Sequence, residues 1–198
     1  MMELMITLAI SSIALGMAVP SWQAMQEKRV VVTAAQGVAS MFQYAQSESV
    51  KRNERISVNW FSPGGHGDTW CVGLSSAPQN MPCDCRETDS TKAEFCAVNG
   101  IEQRLLQDEV APDGSELMHM RPTTSSFAFE PTRGLMTDIP TGDRTEILDG
   151  DWLFYLHSDT GSGQTRNFEL QFRIGLAGKV SLCTDIDRRG LISSYPEC

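Results

Sequence analysis

The feature that most restricts this chain is its beginning. From Leu4 to Val19 the sequence reads LMITLAISSIALGMAV, sixteen residues without a charge. As a helix that run spans roughly 24 Å against a hydrocarbon core of ~30 Å, slightly short for a free-standing transmembrane helix. A run of this length also suits a helix buried in a protein core. Trp22 follows, a residue type that favours the membrane–water boundary, and Lys28 and Arg29 lie well clear of the run. No basic leader precedes the run and no small-residue cleavage site follows it, which argues against a secretory signal peptide. Glu3 stands at the lip. Drawn unpaired into lipid, a carboxylate there costs several kcal/mol, so it marks a partner or a function. Left exposed, it would only stabilise the helix N-terminus, by ~0.3–1 kcal/mol.

Beyond Pro20 the helical period continues. Val31, Ala35, Val38, Phe42, Ala45 and Ser49 form a narrow stripe of apolar and small residues, spaced alternately four and three apart. Gln36, Gln43, Gln46, Glu48 and Lys51 fall on the other faces. No proline or run of turn residues interrupts 21–52. The pattern predicts one long helix, apolar all round at first and amphipathic afterwards, bent at Pro20. Such a helix can sit in a membrane at one end and hold a globular domain at the other.

The remainder reads as strands. Alternation marks 55–60, 69–74, 126–129 and 152–156, and the segments 167–174 and 179–183, separated by Gly175-Leu-Ala-Gly178, predict a hairpin. Residues 62–67 and 158–163 are loops by composition. A helix followed by antiparallel strands is an α+β layout, with the helix over 1–53 and a β-rich globular domain over 54–198.

Charge and cysteines narrow the function. The 198-residue chain carries net charge −9; residues 1–60 hold five basic and four acidic side chains, so the domain beyond them stands at −10. A domain that acidic repels nucleic acid and anionic lipid unless it has a local basic patch. The six cysteines point to an oxidising compartment. Cys183 and Cys198 enclose a C-terminal loop of about 15 residues, whose cross-link would contribute roughly 3 kcal/mol. Cys71, Cys83, Cys85 and Cys96 cluster, and Cys83 and Cys85 are too close to be partners. Two pairings stay open: Cys71–Cys83 with Cys85–Cys96, or Cys71–Cys85 with Cys83–Cys96. A zinc site made of these four cysteines is disfavoured because the paired knuckles of such sites are missing.

No catalytic pattern emerges. His66, His119 and His157 form no metal-ligand spacing, and no nucleophile elbow or phosphate-binding loop is present. The pairs Asp149/Asp151 and Asp185/Asp187 could hold Ca²⁺, but their composition is first that of turns. The reading is a non-enzyme with no cofactor and no small-molecule substrate.

The N-terminal ELMITLAISSIALGMAVPSW, from Glu3, resembles the start of type IV pilins and type II secretion pseudopilins. Residues 45–53 (AQSESVKRN) resemble a signature of the GspH/FimT minor pilin branch, and 129–134 (FEPTRG) and 178–183 (GKVSLC) are similar to two of its later stretches. The match is strong from Glu3 to Ser57, patchy over the strands, and absent between Cys71 and Cys96. Only Met1 and Met2 precede Glu3, where the family has a leader, a Gly-Phe cleavage site and further residues. The resemblance therefore implies a reading frame that starts upstream or a trimmed chain, and no peptidase processing of the sequence as written.

The resemblance implies the pilin fold, with residues 4–19 in the inner membrane before assembly and the domain in the periplasm, then at the tip of a pilus or pseudopilus. It implies other minor and major pilins or pseudopilins as partners. Glu3 would take the part of the family's glutamate, which pairs with the N-terminal amine of a neighbour, and Pro20 that of its proline. Some members of the branch capture DNA. Lys179, Arg188 and Arg189 are the candidate phosphate contacts here, but Asp185, Asp187 and Glu197 share their loop and disfavour that role.

Overall fold

The computed structural model describes residues 2–62, 69–76, 82–110, 118–122, 126–138, 152–158, 168–175, 178–184 and 192–198. Helix α1 (Met2–Arg52) runs as one element through Pro20. The proline removes one amide hydrogen, so the Gly16 carbonyl loses its usual partner four residues on.

Two antiparallel sheets pack on the second half of α1. The first contains β1 (Ile56–Phe61), β2 (Cys71–Ser75), β5 (Arg104–Leu106), β7 (Phe127–Phe129) and β8 (Met136–Asp138), in the order β5-β2-β1-β7-β8. The second contains β6 (Met118–Pro122), β9 (Trp152–Ser158), β10 (Glu169–Ile174) and β11 (Val180–Cys183), in the order β11-β10-β9-β6. A small hairpin, β3 (Ala97–Val98) and β4 (Ile101–Glu102), and one helical turn, α2 (Gln107–Val110), complete the described elements. Each expected strand region overlaps a strand, and β10 and β11 pair antiparallel as the glycine-bounded turn predicts.

The predicted stripe is the core-facing edge of α1. Val31, Ala35, Val38, Phe42, Ala45 and Ser49 are all buried, joined by Ala34 and Ala39. Phe42 ties the helix to both sheets, edge-on to Phe127 at 5.6 Å and to Phe172 at 6.1 Å. Such aromatic pairs contribute about 0.5–1.5 kcal/mol beyond the area they bury. Glu48 departs from expectation. It is buried rather than on an outer face, because Lys51 and Arg52 fold over it.

Every residue of β2 is buried, since the sheet is covered on both sides there. Val72 and Leu74 face the main core. Across the sheet, Cys71, Cys83, Cys85 and Cys96 form a second cluster with Phe61 and Leu106. The pairing is Cys71–Cys85 and Cys83–Cys96, with Cα atoms 5.9 and 5.1 Å apart, and the two loops interlock in sequence. Gly73 makes room for them: a Cβ there would lie 2.3 Å from Cys96 Sγ. This close approach is a reason for glycine inside a strand. Arg86 closes the cluster, its guanidinium 3.7 Å from the centre of the Phe61 ring and forked onto Asp84. Cys183 pairs with Cys198, tying the C-terminus to the end of β11.

Candidate assembly surface

The two halves of α1 have opposite surroundings. Before Glu27 no described side chain is even half-buried, whereas from Val31 onward one face is sealed into the core. Each side chain described from Met5 to Gln26 is exposed. The apolar ones include Met5 at 74%, Ile10 and Ile13 each at 63%, and Trp22 at 61%. Ile6, Ile10 and Ile13 follow the 4, 3 spacing of one helical face. Each such side chain gains about 1.5–3 kcal/mol on full burial, a strong drive towards an apolar partner. Ser12 spends its hydroxyl hydrogen on the Ala9 carbonyl at 2.8 Å, so it presents no spare donor to such a partner. Glu3 and Pro20 both lie within this part of the helix. Among the described residues, no helix is long and apolar enough to cross a membrane.

The other end of α1 is a rigid socket. Asn53 adopts φ 52°, and the chain closes the helix with two bonds, Glu54 N–H to the Ser49 carbonyl at 3.2 Å and Asn53 N–H to the Val50 carbonyl at 3.4 Å. These are the two bonds of a Schellman cap, which asparagine can enter because it tolerates the left-handed region. Gln46 Nε2 donates to the Gly134 carbonyl at 3.0 Å, and Ser49 Oγ donates to the Glu130 carbonyl at 3.2 Å. Gly178 packs against the same glutamine. The three segments 45–53, 129–134 and 178–183 thus meet at one point, where helix and both sheets join.

The Glu48 carboxylate anchors this end. Arg52 Nε donates to it and Lys51 Nζ lies 3.1 Å from its other oxygen, which holds the carboxyl below its ordinary 4.5, chiefly through the Arg52 bond and then through that of Lys51. The folded-state value is the lower one, so this stabilisation is present above the unfolded value and is lost as pH falls through the folded one. Glu48→Gln is expected to be less stable than the native chain at neutral pH, with the gap closing as the pH drops below 4.5. Denaturant unfolding at a series of pH values measures that gap; a difference unchanged by acid would contradict it.

The other candidate residues are scattered. Lys179 is exposed beside the β10–β11 turn. Arg188, Arg189, Asp149, Asp151, Asp185, Asp187 and His66 lie outside the described residues, as does most of the two loops expected over 62–67 and 158–163. His119 lies on β6 and His157 on β9. Among the residues whose side chains are described, no three His, Cys, Asp or Glu stand close enough to hold a metal ion. Sequence reasoning missed Gln46 and Gly73 as packing determinants; the glycine inside a strand pattern was the available signal for the second.

Two crystal forms of the type IV minor pilin FimU from Pseudomonas aeruginosa are similar to this chain in structure. One is 17% identical, with a TM-score of 0.40, over 77% of this chain and 87% of that one. The other is 16% identical, with a TM-score of 0.36, over 75% and 89%. No curated protein matches the chain. The family model for the type II transport protein GspH matches residues 34–190, which takes in the core-facing part of α1, both sheets and the junction between them. The chain belongs to the GspH family of minor pilins and pseudopilins.

Proposed function

We propose that this protein is a minor subunit that primes and caps a type IV pilus or type II secretion pseudopilus, docking through its N-terminal helix with Glu3 setting the register. The observation that carries the proposal is the set of exposed apolar side chains in the first half of α1, against a second half that buries one face in the domain. A surface of that kind needs either lipid or other helices. Before assembly the apolar run 4–19 rests in the inner membrane, where local thinning or snorkelling of flanking residues offsets its short length. In the fibre, equivalent helices replace lipid as the apolar surroundings.

Glu3 supplies direction. Apolar packing alone lets one helix slide along another, whereas a carboxylate in a low-dielectric bundle is satisfied at one axial position, beside a cation such as a neighbour's N-terminal amine. The acidic domain stays outside the bundle, where its charge keeps adjacent domains apart. The role is structural, with no catalysis and no cofactor. Glu3→Ala tests it: the variant is expected to be present in membranes and absent from sheared fibres or pseudopili. Normal incorporation would count against the proposal.

A further inference from the structure

We infer that the Cys183–Cys198 disulfide is a site of thiol–disulfide exchange with a dithiol reductant, and that opening it releases a clasp on α1. Access separates this bridge from the other two. Cys71, Cys83, Cys85 and Cys96 are between 1% and 6% exposed, so both cysteines of each of their bridges are buried. Cys183 is buried as well, at 4%, but its partner Cys198 is exposed. Exchange requires a thiolate to reach a disulfide sulfur, and exposed bridges are the labile ones.

A thiolate of the dithiol attacks Cys198 Sγ, and a new S–S bond forms as the bond to Cys183 breaks. Cys183 leaves as a thiolate and takes up a proton. The second thiol of the reductant then displaces Cys198 from the mixed disulfide. The dithiol is oxidised to a disulfide, and the bridge is reduced to two thiols.

The bridge holds the clasp shut. Thr184 N–H donates to the Pro196 carbonyl at 2.8 Å, and Cys198 N–H to the Thr184 carbonyl at 3.0 Å. Arg173 Nη1 donates to the Cys198 carbonyl at 3.1 Å. Within the segment so held, Ile192 is fully buried in the core, and the Tyr195 hydroxyl accepts from Gln36 Nε2 at 2.9 Å. Gln36 lies little more than a helical turn beyond Val31, where the core begins. The segment therefore grips α1 near the point where the helix enters the domain. Its hydrogen bonds are few and close to the surface, so once the covalent link opens, 193–198 frays while Ile192 stays buried. This holds whether or not the first half of α1 docks on other helices.

Dithiothreitol added in steps to the full chain in detergent, followed by alkylation of free thiols and peptide mass spectrometry, tests the site. Cys183 and Cys198 are expected to be alkylated together, at a reductant concentration that leaves the other four cysteines paired. Hydrogen exchange on that partly reduced chain reads the clasp. The Thr184 and Tyr195 amides, which donate to the Pro196 and Ile192 carbonyls, should lose protection, while the Leu74 amide in β2 keeps it. The native chain is reduced after it has folded, so no variant has to fold. Alkylation of all six cysteines at one concentration, or of another pair first, would overturn the exchange site. Unchanged protection of the Tyr195 amide once Cys183 and Cys198 are alkylated would overturn the clasp.

Discussion

Gly178→Ala is expected to lower the stability of the domain by about 2–5 kcal/mol, the sum of two separable costs. The first is conformational: Gly178 has φ +74°, where an L side chain costs roughly 1–2 kcal/mol. The second is steric. A Cβ at this position would lie 2.3 Å from Gln46 Nε2 and 2.7 Å from the Gly134 carbonyl oxygen, and those two atoms are hydrogen-bonded to each other. Neither can retreat without breaking that bond, so an overpacking cost of about 1–3 kcal/mol adds to the first. Gly100 supplies the control. Its φ is +73°, almost the same, yet a Cβ there meets nothing within 4 Å. Gly100→Ala should therefore show the conformational cost alone, about 1–2 kcal/mol. Equal losses in the two variants, measured by denaturant unfolding, would mean that the β10–β11 turn does not press on α1.

Glu3→Ala should act at the other end of the helix and leave stability untouched. The residue lies far from the core that begins at Val31, so removing its carboxylate deprives the domain of nothing. On the docking role proposed for Glu3, what changes is the balance between lipid and fibre. Alanine is more comfortable than glutamate in a bilayer, by several kcal/mol where the charge would be unpaired, so the variant is better held in the membrane. In the bundle it forfeits the one interaction that rewards a particular axial position. Both effects push the same way, and incorporation should fall to background. Glu3→Gln separates charge from polarity: an amide keeps a hydrogen-bonding group but cannot pair with a cation, so it should fail as alanine does. Incorporation of the Gln variant at the native level would assign the role to hydrogen bonding instead.

Much of this anatomy is legible in the sequence because it rests on periodicity. The stripe from Val31 to Ser49 repeats at helical spacing, and the long strands alternate, so their buried faces follow from local pattern. Glu48 was hidden because its burial depends on Lys51 and Arg52 folding back over it, which the stripe does not encode. The strands β3, β4, β5 and β8 are two or three residues long and, unlike β7 with its two phenylalanines about Ala128, carry no alternation of apolar with small or polar residues that stands out from the neighbouring loops. Asn99-Gly100 was the remaining cue for β3 and β4: both residues have positive φ, and the dipeptide is a strong hairpin signal. The division into two sheets and the choice of cysteine partners are tertiary facts. Cys71–Cys85 and Cys83–Cys96 are selected by the way the segment from Cys83 to Cys96 lies over β2, with Gly73 leaving the space.

The central claim is that the clear half of α1 packs against helices of other subunits. A photoreactive amino acid at Ile10 or Ile13, activated in intact fibres, tests it most directly. The predicted product joins this chain to the N-terminal helix of a neighbouring pilin or pseudopilin. Products confined to the chain's own strands, such as β1 or β10, would contradict it.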